Sequence, residues 1–245
     1  MSQLTVDIKR KIYPQNGNKA AFVAIKDLRF ELSSNEFVCI VGPSGCGKTT
    51  LLNIIAQLDQ QFDGVIQWDN NSAEIKSSYV FQTPRLLPWR SVMENIQLAN
   101  NNQNSFASMK SLLQKLGLEN NLDSFPNHLS LGMQRRVALA RAFCVQSDIL
   151  LMDEPFVSLD QPTARKAREL LLALWQEQPR CIIFVTHDLN EAIELADRVV
   201  FLSESPSSVA GDIDITIPRD KRYAKNIAAF KQQLSTSHPS LNHLI

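Results

Sequence analysis

The sequence predicts an α/β protein: a mainly parallel sheet with helices around it, opened by antiparallel strands and interrupted by a helical insertion. Three observations carry that prediction. Short, nearly pure apolar runs recur at 37–41, 149–152 and 181–185, as in strands buried on both faces. Amphipathic stretches of helical period separate them, 163–176 being the clearest, and strands alternating with helices indicate parallel pairing. The N-terminal segment alternates instead. Leu4, Val6 and Ile8 fall on one face, Thr5, Asp7 and Lys9 on the other, and Leu28, Phe30 and Leu32 share a face over 25–32.

The remaining elements follow in order. The two N-terminal strands join through a polar segment with a turn at Asn16-Gly17. The run 37–41 leads into a glycine-rich loop, and 48–58 reads as a helix. Between 84 and 146 the period is mostly helical, with helices expected at 92–99, 106–116 and 131–145 and a polar loop at 100–105. Residues 219–238 form a charged amphipathic helix without evident chemistry.

Composition excludes several functions. The chain has 245 residues, with 25 Lys plus Arg balanced by 25 Asp plus Glu. A neutral chain does not fit a general nucleic-acid binder, so no nucleic-acid partner is expected. No apolar run approaches the roughly 18 residues that span a bilayer. Residues 1–14 interleave charged and apolar residues, unlike a secretory signal. Cys39, Cys46, Cys144 and Cys181 form no CxxC pair and read as buried reduced thiols.

Chemistry concentrates in Gly42-Pro43-Ser44-Gly45-Cys46-Gly47-Lys48-Thr49, which fits GxxxxGK[ST] between a strand and a helix. Three of the chain's 8 glycines fall in this octet, which favours a working loop over a chance match. Glycine-rich backbone turns its N–H groups inward around phosphate oxygens, and the following helix presents its positive end to the same anion. Lys48 would reach the terminal phosphates as a point charge, and Thr49 offers a hydroxyl to Mg²⁺. Asp153 and Glu154 end the run 149–152, where a carboxylate can support Mg²⁺ and its neighbour can act as general base.

With these residues in place, the chain resembles the ATP-binding subunits of ABC transporters. Gln82 after Ser-Tyr-Val-Phe resembles the Q-loop, and Leu129-Ser130-Leu131-Gly132-Met133 the signature motif. Residues 149–154 with Pro155 resemble Walker B and its catalytic glutamate. Ser158-Leu159-Asp160 resembles the D-loop, and His187 the switch histidine. The resemblance spans about residues 4–205 in family order. It implies a P-loop NTPase (RecA-like) core with an N-terminal antiparallel β subdomain and an inserted α-helical subdomain. It divides the chain into an ABC ATPase domain at 4–230, with 84–146 inserted, and a tail at 231–245.

The resemblance also implies roles. ATP would be held by the loop from Gly42 to Lys48 with Thr49 and Thr50, and Mg²⁺ by Thr49, Gln82 and Asp153. Glu154 would activate water, with Lys48 and His187 as the other catalytic groups. Ser130, Gly132 and Asp160 would act across a dimer of two such subunits. Tyr13 is the first candidate for stacking on adenine and Phe22 the second. Leu131 stands where the family usually has glycine, and two readings follow: a side chain that points away harmlessly, or one that weakens hydrolysis.

Glu36–Leu52, Leu86–Ile96, Met152–Asp160 and Phe184–Ser203 further resemble importer ATPases for nitrate, aliphatic sulfonates, taurine and related small solutes. That branch implies a separate transmembrane permease, a solute-binding protein, a homodimer or a pairing with a related ATPase, and a place at the cytoplasmic face of the membrane. Trp89 reads either as part of the helical core or as part of the permease contact. The rival readings are a catalytically weakened partner of another ABC ATPase and a soluble non-transport ABC ATPase.

Overall fold

The computed structural model describes residues 3–15, 21–68, 75–100 and 104–244. The expected turn at Asn16-Gly17 lies outside them. The strands are β1 (Gln3–Tyr13), β2 (Phe22–Ser33), β3 (Phe37–Val41), β4 (Asp63–Trp68), β5 (Ser77–Val80), β6 (Ile149–Asp153), β7 (Cys181–Thr186), β8 (Arg198–Leu202) and β9 (Val209–Asp214). The helices are α1 (Lys48–Ile55), α2 (Val92–Asn100), α3 (Phe106–Lys115), α4 (Leu131–Phe143), α5 (Gln161–Glu177), α6 (Leu189–Leu195) and α7 (Ala224–Ser237). They fall into two compact units, Met1–Ile75 with Cys181–Ile245, and Lys76–Arg180.

In the first unit, β1 pairs antiparallel with β2 on one side and β4 on the other. Leu4, Val6 and Ile8 are fully buried, as their alternation requires. The alternation then changes phase: the β1–β4 register shifts between Ile8 and Arg10, and Lys11 takes an inward position at 2% exposure. One inserted residue reverses the faces of all that follow. In the parallel part, β3 runs between β7 and β8, and β9 closes the edge antiparallel to β8. Every residue of β3 and β7 is buried, which is why those segments read as unbroken apolar runs.

The expected helix at 219–238 is shorter. A 3-10 turn covers Arg219–Lys221, and α7 begins at Ala224. Arg222 holds this approach by donating to the Ala196 carbonyl at the C-terminal end of α6, 2.6 Å away. Burial, with the nearby Arg219 charge, pushes the Arg222 pKa down to about 10. Such a cation at a helix C-terminus meets the negative end of the helix dipole.

In the second unit, β5 and β6 pair in parallel, Val80 opposite Met152. Helices α2 to α5 belong to this unit. Ser105, Ser130 and Asp160 cap α3, α4 and α5, each accepting a hydrogen bond from an amide in the first turn. The expected loop at 100–105 begins inside α2, whose last residue, Asn100, is buried and accepts from the Asn104 amide at 2.9 Å. All four cysteines are buried and free. No helix among the described residues is long and apolar enough to cross a membrane.

Candidate active site

The first unit carries the phosphate loop. The backbone turns out of β3 at Gly42 and enters α1 through Gly47, whose φ of 106° lies in the left-handed region that favours glycine. No side chain caps α1 and no acidic residue lies in its first turn. That is the arrangement a phosphate fits, because the anion supplies the missing acceptor for the helix amides. Lys48 is buried, and its ammonium donates to the Gly42 and Pro43 carbonyls at 2.8 and 2.9 Å. Ser44, Gly45 and Thr49 are exposed along the loop, while Thr50 is half-buried. Burial pushes the Cys46 thiol above its usual pKa, so it stays neutral beside the lysine.

His187 and Tyr13 belong to the same unit. Val41 of β3 pairs with Thr186 of β7, so the phosphate loop and His187 leave neighbouring strands at the same end. Ligands gather at such carboxyl ends in α/β sheets. Thr186 secures the turn after β7: its hydroxyl accepts from the Asp188 amide at 3.0 Å and donates to Glu191 at 2.6 Å. The Tyr13 hydroxyl lies 3.1 Å from Thr50 Oγ1, which ties the end of β1 to α1. Phe22, the second aromatic candidate, pairs directly with Tyr13 in the ladder. Both are exposed large side chains on one face of the sheet.

The second unit gathers Gln82, Asp153 and Glu154. Asp153 is buried at the end of β6. Gln82 follows the neighbouring β5 by two residues, and its Nε2 lies 3.5 Å from Glu154 Oε2. Glu154 has φ 43° and Ser158 has φ 65°, both left-handed values for non-glycine residues. Backbone held in that region costs of order 1–3 kcal/mol and persists where the surroundings enforce it. Arg135 of α4 provides the enforcement, donating through its two terminal nitrogens to the Pro155 and Val157 carbonyls. Arg141, two turns further along α4, donates to the Pro84 and Arg85 carbonyls at 3.0 and 2.9 Å.

Ser130 and Gly132 form the start of α4, and Asp160 caps α5. Thr163 links them: its amide and hydroxyl donate to the two Asp160 carboxylate oxygens at 3.0 and 2.8 Å, while its methyl faces Gly132. Those two hydrogen bonds hold the Asp160 carboxyl below its usual pKa. Leu131 is 41% exposed. Trp89 is 69% exposed and is therefore not a core residue. Its loop is rigid nonetheless, because buried Asn95 accepts from the Leu87 amide at 2.8 Å and donates to three carbonyls between Leu87 and Ser91.

Lys11, Arg135, Arg141 and Thr163 were not among the residues expected from sequence. Among the described residues, no three or more His, Cys, Asp or Glu side chains converge to hold a metal by themselves.

The family model described as ABC transporter matches residues 25–157. The chain belongs to the ABC transporter family. An uncharacterized ABC transporter ATP-binding protein of Methanocaldococcus jannaschii is 39% identical, covering 89% of this chain and 85% of its own length. An aliphatic sulfonates import ATP-binding protein of Rhodococcus jostii is 41% identical, covering 86% of this chain and 85% of its own. Among solved structures, the ATP-binding cassette MJ0796, as a post-hydrolysis dimer bound to ADP and Pi, superposes with a TM-score of 0.75 at 31% identity. It covers 89% of this chain and 100% of that one. The fold is accordingly that of the ABC-type P-loop NTPases, and the chain is an ATP hydrolase of that family.

Proposed function

We propose that this chain is the ATP-hydrolysing subunit of an importer that takes up a small solute, such as a sulfonate, nitrate or taurine, through a separate permease. The observation that carries the reading furthest is its likeness to several aliphatic sulfonate import subunits, between 36% and 41% identical.

In this reading, residues 4–230 form the ATPase domain with 84–146 inserted, and 231–245 form a tail. The backbone from Gly42 to Thr50 and the Lys48 ammonium bind the phosphates of ATP, and Tyr13 stacks on the adenine. Thr49, Gln82 and Asp153 supply the oxygen ligands for Mg²⁺, which neutralises charge on the terminal phosphates when bound. Glu154 accepts the proton of the attacking water, and Gln82 orients it. His187 holds the γ-phosphate side of the site. Ser130, Gly132 and Asp160 reach the nucleotide of a second copy in a head-to-tail homodimer, or of a related ATPase. Closure driven by contacts made only with the triphosphate is then coupled to the permease.

The permease contact lies on the segment after Gln82, where the pinned loop presents Trp89 and where Leu98 is 66% exposed. The subunit works at the cytoplasmic face of the membrane, and a solute-binding protein delivers cargo to the permease from the other side.

The test is isolation of the affinity-tagged chain from membranes of its own host, with the bound proteins identified by mass spectrometry. An importer subunit brings down an integral membrane protein of permease type in stoichiometric amount. Recovery of the whole pool from the soluble fraction, with no such partner, contradicts the importer reading and leaves the ATPase assignment intact.

A further inference from the structure

The residue that fits the fold least well by chemistry is Lys11. Lysine is almost never fully buried unless paired. Lys11 is 2% exposed, and its ammonium donates to Asp59 Oδ1 at 2.6 Å and to the Gln61 carbonyl at 2.9 Å. The same nitrogen lies 4.7 Å from the centroid of the Tyr13 ring. Residues i and i+2 of a strand share a face, so the bulge that turns Lys11 inward also brings it alongside Tyr13.

We propose that Lys11 is a positioning residue for the nucleotide base, holding the Tyr13 ring at a fixed place relative to the phosphate loop. The proposal rests on Tyr13 as the base-stacking residue and names what sets its ring. The contacts close a circuit. Asp59 follows α1, and its amide donates to the Asn53 carbonyl of that helix at 3.1 Å. Asp59 grips Lys11, Lys11 sits over Tyr13, and Tyr13 returns to α1 through Thr50 at 3.1 Å. Both ends of the helix that begins in the phosphate loop therefore constrain one aromatic ring. A cation over one face fixes the ring plane and leaves the other face for a planar ligand.

A purely stabilising role explains the lysine poorly. Burying an ion pair is often no better for stability than burying apolar residues of the same volume. A methionine at position 11 would fill the same space, with Asp59 still able to reach water at 20% side-chain exposure. Retaining the charge calls for a reason beyond packing.

The experiment compares ADP with inorganic pyrophosphate, which differ by the adenosine, in calorimetric titrations of the wild-type chain, Lys11→Met, Lys11→Arg and Tyr13→Ala. The proposal predicts that Lys11→Met weakens ADP about two- to thirtyfold, the range of a cation–π contact, and leaves pyrophosphate unchanged. Lys11→Arg recovers part of the loss. Tyr13→Ala weakens ADP at least as much as Lys11→Met, again sparing pyrophosphate. Equal weakening of ADP and pyrophosphate by Lys11→Met would make Lys11 a strut for the whole loop and overturn the proposal. An effect of Tyr13→Ala without one of Lys11→Met overturns it while leaving the base reading in place. No effect of Tyr13→Ala removes the base reading and the proposal together. If Lys11→Met does not fold, the pair Lys11→Met with Asp59→Asn, which leaves no unpaired charge, is read against the same outcomes.

Discussion

A Cβ placed on Gly132 would stand 3.0 Å from Cγ2 of Thr163. Thr163 cannot easily swing aside, because its amide and hydroxyl both bond the Asp160 carboxylate. The second glycine position of the signature motif is thus fixed by packing within one chain, whereas the first tolerates Leu131.

Gly132→Ala sets two effects against each other. Alanine gains about 1 kcal/mol of helix propensity. Overpacking against a pinned side chain costs about 1–3 kcal/mol. The clash is expected to win, lowering the unfolding midpoint in urea and slowing hydrolysis by displacing Asp160. Adding Thr163→Ser removes the methyl and keeps the hydroxyl, so the double variant should regain wild-type stability or exceed it. A double variant no more stable than Gly132→Ala alone would show that Thr163 is not the constraint.

Leu131→Gly should matter little to turnover. The exposed side chain leaves the packing of its own chain undisturbed, and an effect of about 0.5 kcal/mol, or roughly twofold in rate, is expected where the second copy does not meet it. A large rise in steady-state ATPase rate would instead mean that Leu131 obstructs the closed dimer.

Arg135 ties α4 to the backbone that follows Glu154. Arg135→Met leaves the Pro155 and Val157 carbonyls without their charged donor, at about 1.5–3 kcal/mol per hydrogen bond. Denaturant unfolding should show a loss of about 3–6 kcal/mol, and hydrolysis should fall as the backbone after Glu154 relaxes. Arg135→Lys, with a shorter side chain and one nitrogen in place of two, should fall between. Unchanged stability in Arg135→Met would mean these bonds do not hold the segment.

The Asp160 carboxyl carries a pH signature. Its pKa is depressed in the folded chain by the Thr163 amide and then by the Thr163 hydroxyl. A depressed value stabilises the fold above the unfolded carboxylate pKa, and that contribution is lost as pH falls through the folded value. Thr163→Val removes the hydroxyl and keeps the amide, so carboxyl NMR titration should show the Asp160 pKa rising part of the way back. No movement would assign the whole depression to the amide.

Much of this was legible from sequence. The buried strands announced themselves because β3, β6 and β7 are apolar at almost every position, and the phosphate loop because glycine is otherwise scarce. Strands β4, β5, β8 and β9 were missed: β4 is half-exposed, β9 alternates between half-buried and exposed, and β5 and β8 are only four and five residues long. The 48–58 helix was read too long because Gln57, at φ 59°, ends the helical path. Lys11 could not be found at all: its burial depends on a bulge, and its partner Asp59 is 48 residues away. Arg135 and Arg141 likewise bind carbonyls, and backbone carbonyls leave no trace in residue patterns.

The most direct test of the central claim is Mg²⁺-dependent ATP hydrolysis by the purified chain, measured against protein concentration, with Glu154→Gln as control. The account predicts activity that rises faster than linearly with concentration, as two copies complete each other's sites. It predicts a loss of about 10²–10⁴-fold in Glu154→Gln with nucleotide binding retained. Near-normal turnover in Glu154→Gln would contradict the role of this carboxylate, and activity strictly proportional to concentration down to the lowest dilution would contradict a site shared between two dissociating copies.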